Sequence, residues 1–120
     1  KTNIKLFLFK DMVKSYVLRI YYEEGLHEQT LSAIDAFRHY LKSEQLITVD
    51  QKEAHYEFLK YITALSNIKL EYNKKKDFPK VMELKNRVGK MKSNSLGIKN
   101  WLLEKILDLE ENPAPHLASN

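Results

Sequence analysis

No cysteine occurs anywhere in the chain, which excludes a disulfide framework, a thiolate zinc site and a cysteine nucleophile. A reducing compartment, the cytoplasm, is the expected setting. Glycine and proline are scarce, three of each in 120 residues, with two of the prolines among the last eight. So few breakers leave helix as the default conformation. No apolar run approaches the roughly 20 residues needed to span a bilayer. The early KLFLF is too short for a signal-peptide core and is followed at once by charge. The chain starts at Lys1, without methionine and already in an apolar helical pattern, and reads as a piece of a longer protein.

What is present is an ordinary globular composition, 43% hydrophobic and 30% charged, in a length that fits one domain. The net charge of +4 is unevenly spread. Residues 69–99 hold ten basic residues against three acids, a local balance of +7 that leaves the rest of the chain at −3. Such asymmetry can mark an anionic partner.

Apolar residues recur at three- and four-residue steps in five stretches. The first helix is expected over 5–24, with Phe9, Met12, Val13, Tyr16, Val17, Ile20 and Tyr21 as its buried stripe, Tyr22 pointing away from it, and Gly25 closing it in the left-handed conformation. The second, 27–44, carries Leu31, Ile34, Phe37 and Leu41, with Ala33 and Ala36 as small residues. A link this short places the two as antiparallel neighbours. LITV is an apolar loop that tucks into the core, and Asp50 with Glu53 resembles a capping box opening a third helix to Asn73. Its stripe is Ala54, Phe58, Tyr61, Ile62, Leu65, Ile68 and Tyr72. Asp77 is the expected N-cap of a fourth helix, 78–93, with Pro79 in its first turn and Val81, Leu84, Val88 and Met91 inward. Ile98, Trp101, Leu102, Leu103, Ile106 and Leu109 mark a fifth helix over 98–110, before a frayed tail, 112–120.

These helices group as hairpins 5–44 and 50–93 plus a terminal helix, a pattern that fits both a helical solenoid and an up-and-down bundle. IYYEEGLHEQTLSAIDAFRHYL, residues 20–41, resembles the middle of a tetratricopeptide repeat, with Tyr21 and Tyr22 ending one helix, Gly25 at the turn, and Thr30, Ile34 and Phe37 inward on the next. Aligned on Gly25, the family's tryptophan, glycine, alanine and proline positions fall on Lys14, Leu18, Thr30 and Lys42, so spacing carries the likeness more than identity does. Over residues 8–111 the chain looks like the C-terminal helical part of bacterial tetratricopeptide-type proteins, whose final helix opens with a tryptophan, here in NWLLEKILDLE. The resemblance implies an all-α, right-handed superhelix of antiparallel hairpins with a C-terminal capping helix. It also implies a scaffold that binds other proteins, preceded by further repeats.

Catalytic chemistry has little footing. His27, His39, His55 and His116 are scattered without a carboxylate at ligand spacing and are expected at the surface or its boundary. Glu23 with Glu24, and Glu110 with Glu111, are adjacent on helices and diverge by about 100°, so neither pair can share a substrate atom. Gly25, Gly89 and Gly97 lie too far apart for a phosphate loop. No enzyme, cofactor or metal is expected. Seven tyrosines either pack between hairpins or line a peptide groove, and Trp101 is expected to anchor the last helix in the core. For a protein or peptide partner the concave surface is expected to use Tyr16, Arg19, His39 and Tyr56. The alternative is nucleic acid or another polyanion on Lys74, Lys75, Lys76, Lys85, Arg87 and Lys92. Without preceding repeats, the first helix has a face with which it can pair with a copy of itself.

Overall fold

The computed structural model describes residues 2–72 and 76–111. Among these residues the chain is all-helical: α1 (Thr2–Glu23), α2 (His27–Ser43), α3 (Val49–Tyr72), α4 (Phe78–Gly89), a short 3₁₀ turn (Ser95–Gly97) and α5 (Ile98–Glu111). The expected tail at 112–120 and the expected helix end at Asn73 lie outside the described residues. No helix among those described is long and apolar enough to cross a membrane. The chain divides into two compact units, Lys1–Leu59 and Lys60–Asn120.

In the first unit, α1 packs against α2. Gly25, at φ +75°, closes α1 as the sequence predicts. Its N–H donates to Tyr22 O (3.1 Å) and the Leu26 N–H to Tyr21 O (3.0 Å). These are the two bonds of a Schellman closure, and they satisfy carbonyls that the helix end would otherwise leave open. On α2 the buried residues are Thr30, Ile34, Phe37 and Leu41. Thr30 takes the place expected of Leu31, which is half-buried, because the Thr30 hydroxyl donates to Leu26 O at 2.7 Å and so enters the core with its polar atom satisfied. Of the loop LITV, Ile47 is buried while Leu46 stays exposed.

The start of α3 differs from expectation. The reciprocal bonds run two residues earlier than Asp50 and Glu53. The Gln51 N–H donates to Thr48 Oγ1 (3.1 Å) and the Thr48 N–H donates to Gln51 Oε1 (3.0 Å). This is a capping box in the strict T-x-x-Q sense, and it begins the helix at Val49.

The orientation of α1 also departs from expectation. Among its described side chains, Asp11, Ser15, Leu18, Arg19 and Tyr22 are buried. Much of the predicted stripe lies on the other side: Phe9, Val13, Tyr16 and Ile20 are exposed. Tyr22, expected to point outward, is in the core. Apolar residues occur all round this helix, so periodicity alone does not choose the inward face.

The second unit is conventional. Its core comprises Tyr61, Ile62, Leu65 and Tyr72 of α3, Val81, Leu84 and Val88 of α4, Met91, and Ile98, Trp101, Leu102, Ile106 and Leu109 of α5. Trp101 is buried, as expected of an anchor. Asp77 Oδ1 accepts from the Lys80 N–H (3.2 Å), and Pro79 sits in the first turn of α4. That helix stops at Gly89 rather than 93. Beyond it Lys99 Nζ donates to Met91 O (2.9 Å), so a cation from α5 satisfies a carbonyl just past the end of α4. By backbone approach α4 packs against α5 more closely than against α3, whereas the sequence groups it with the third helix.

Replacing Thr48 with alanine is expected to cost about 1 kcal/mol in urea denaturation, with Asp50→Ala near neutral. Gly25→Ala, which forces a side chain into the left-handed region, is expected to cost about 1–2 kcal/mol.

Candidate functional site

A cluster of buried polar side chains in the first unit joins three helices. Asp11 of α1 and His55 of α3 are both buried, with His55 Nε2 3.1 Å from Asp11 Oδ2. An ionised carboxylate only accepts, so Nε2–H is the donor. The His55 ring lies against Phe37 of α2, centroids 5.3 Å apart, and Phe37 lies 6.2 Å from Tyr40. The Tyr40 hydroxyl interacts with Asp11, and its pKa is pushed far up from 10.0, first by burial and then by the Asp11 charge. Lys14 Nζ sits 4.6 Å from the centre of the Tyr40 ring. The expectation that His55 lies at the surface or its boundary is therefore wrong. Its carboxylate is 44 residues away, where no local spacing rule reaches.

This arrangement ties α1 to α3 like a pin. His55 and Asp11 keep side-chain exposures of 8% each. Among the described residues, no group of three or more His, Cys, Asp or Glu is placed to hold a metal ion.

Of the residues expected on a concave surface, the structure brings Tyr16 and Arg19 together, with the guanidinium carbon 4.5 Å from the Tyr16 ring centre. Arg19 is buried and donates to Ser15 Oγ at 3.3 Å. Burial lowers its pKa, against the raising influence of Tyr16 and Glu23. An open surface needs this residue accessible, and the fold places it inside. His39 is exposed, its Nδ1 2.9 Å from Asp35 O of its own helix. Tyr56 is half-buried on α3.

The basic segment is less available than its charge suggests. Lys74 and Lys75 lie outside the described residues. Lys76 sits 5.9 Å from the Tyr72 ring centre. Lys85 Nζ contacts both oxygens of Glu110 (3.1 and 3.4 Å), Arg87 pairs with Glu83 (3.4 Å) and Lys80 lies 3.9 Å from Asp77. Lys92 is exposed. Two of the expected phosphate contacts, Lys85 and Arg87, thus have a carboxylate beside them.

Sequence reasoning used part of the exposed apolar line on α1 but assigned it to the core. Leu6 (54%), Phe9 (56%), Val13 (41%), Tyr16 (44%) and Ile20 (58%) are exposed. Their spacing alternates three and four residues, the repeat of a coiled-coil seam. The signal was the 3-4-3-4 pattern itself; what hid it was the assumption that the most apolar face is the inward one. Comparison with protein-family models, with curated proteins and with solved structures gives no match.

Removing one member of the pin, Asp11→Ala or His55→Ala, is expected to destabilise the fold by about 3 kcal/mol in urea denaturation, and the two losses are expected to be non-additive. A raised tyrosine pKa in the folded state stabilises it below the unfolded value and loses that contribution as pH rises. The fold is therefore expected to weaken above pH 10.0, where the unfolded chain ionises Tyr40 freely. Tyr40→Phe is expected to flatten this alkaline slope, read as the denaturation midpoint between neutral pH and pH 11.

Proposed function

We propose that this chain is a non-enzymatic, cytoplasmic protein-interaction module, a helical-repeat piece built of tetratricopeptide-like antiparallel hairpins with α5 capping one end. The observation that carries the reading is the outward seam on α1. Five large apolar residues stand in a helix-pairing pattern on one side of a helix whose opposite side is held in the core. Soluble surfaces seldom present so ordered an apolar line unless another helix covers it.

The hairpin form has its own support. Asp11 lies 14 residues before Gly25 and Tyr40 15 after it, and the two interact. Partners equally distant from a turn are what antiparallel helices produce. Burial of Thr30, Ile34 and Phe37 agrees with the inward positions that the tetratricopeptide resemblance implies. The recognising residues are Leu6, Phe9, Val13, Tyr16 and Ile20, with Tyr16 retained from the surface expected on sequence grounds. Polyanion binding has less support, since Lys85 and Arg87 already face Glu110 and Glu83.

The test is affinity capture with the wild-type chain and with Val13→Glu/Ile20→Glu, whose fold is checked by circular dichroism. The wild type is expected to retain a protein that the variant loses, with nucleic acid absent from the eluate. Equal capture by both, or salt-sensitive recovery of nucleic acid alone, overturns the proposal.

A further inference from the structure

We infer that the α1 seam pairs with the same seam of a second copy of this chain, in antiparallel orientation. The inference rests on the interaction reading above and names the partner of that surface. Written as a heptad, Leu6, Val13 and Ile20 occupy the a positions and Phe9 and Tyr16 the d positions. The positions opposite the seam are Asp11, Ser15, Leu18 and Tyr22, all buried in the first unit. The helix therefore cannot turn its seam inward without expelling the Asp11–His55 pair from the core. Leu8 is exposed as well but lies off the line. Half-buried Met12 and Val17 flank the middle of the seam and widen it where two helices would cross.

Charge selects the partner and its direction. Exposed Lys5 stands at one end of the seam, with exposed Lys10 about one turn further in, and exposed Glu23 and Glu24 stand at the other end. Parallel pairing sets lysines beside lysines and glutamates beside glutamates. Antiparallel pairing sets each basic end against an acidic end, twice over, and opposes the two helix dipoles. The natural register then places Val13 across from Tyr16 of the other copy, and Phe9 across from Ile20. A second copy is complementary at both ends without any further requirement, because one helix carries both signs in the right order.

The size of the seam sets the strength. From Leu6 to Ile20 it runs about 21 Å along the helix. Its five side chains, each about half exposed, offer on the order of 500 Å² per copy, or roughly 1,000 Å² in all, the lower limit for a specific interface. An interface of this size sits at the low end for specific association, so the dimer is sought over a wide range of concentration.

The absence of cysteine makes the geometry directly testable. Sedimentation of the wild-type chain from about 1 to 300 µM is expected to show a monomer giving way to a dimer, and Val13→Glu to remain monomeric at least tenfold higher in concentration. Single substitutions Phe9→Cys and Ile20→Cys are then oxidised separately and mixed. Disulfide-linked dimer is expected in the mixture and at most traces in either alone. Lys5→Glu/Lys10→Glu is expected to weaken the dimer at least tenfold, and adding Glu23→Lys/Glu24→Lys to restore it. Self-linking of Phe9→Cys alone, or charge reversal without effect, overturns the antiparallel arrangement. A monomer at every concentration overturns self-pairing. If Val13→Glu nevertheless still abolishes capture of a different protein, the interaction reading stands without it. A dimer that captures nothing else retains self-pairing and removes the heterologous partner.

Discussion

The first unit depends on one buried contact, the hydrogen bond between Asp11 and His55. A carboxylate taken out of water costs several kcal/mol unless its lone pairs are met, and here an imidazole from a different helix meets one of them. Hydrophobic burial is indifferent to small rotations of a helix, whereas a hydrogen bond at 3.1 Å is not. The pair therefore fixes both the rotation of α1 about its axis and its height along α3. Phe37 and Tyr40 of α2 then close round the imidazole and carboxylate, which excludes water and strengthens the contact.

Much else follows from that choice of face. With Asp11, Ser15, Leu18 and Tyr22 inward, Arg19 is drawn under Tyr16 and toward Phe58. Leu6, Phe9, Val13, Tyr16 and Ile20 are left outward. The second unit needs no comparable device. Its helices carry most of their apolar residues on one side, with Leu70, Phe78, Met82 and Leu107 left exposed, and α4 meets α5 through side chains that their periodicity places inside. Electrostatics there acts at the rim, where Lys85 reaches Glu110 and Lys99 satisfies Met91 O.

That contrast explains what the sequence makes legible. Where one face is apolar and the other charged, as on α2, α4 and α5, spacing alone predicts nearly every buried residue. The N-cap at Asp77 and the left-handed closure at Gly25 are also written locally, because both act within a few residues. On α1 the signal is ambiguous, since apolar side chains lie all round it and the deciding partner is 44 residues away. The same distance hides the role of His55, which looks like a solitary histidine until the fold brings α1 beside it. The capping box missed its place by two residues because two acidic positions mimic it immediately downstream of the real Thr48–Gln51 pair.

The inside and the outside of α1 belong to one rigid helix, and this couples them thermodynamically. Whatever covers Leu6 through Ile20 binds only the rotation in which Asp11 meets His55, so the ligand and the internal hydrogen bond favour each other by mass action. Under the self-pairing proposed above, occupancy of the outer seam would report on the core, and the protein's resistance to unfolding would depend on its own concentration.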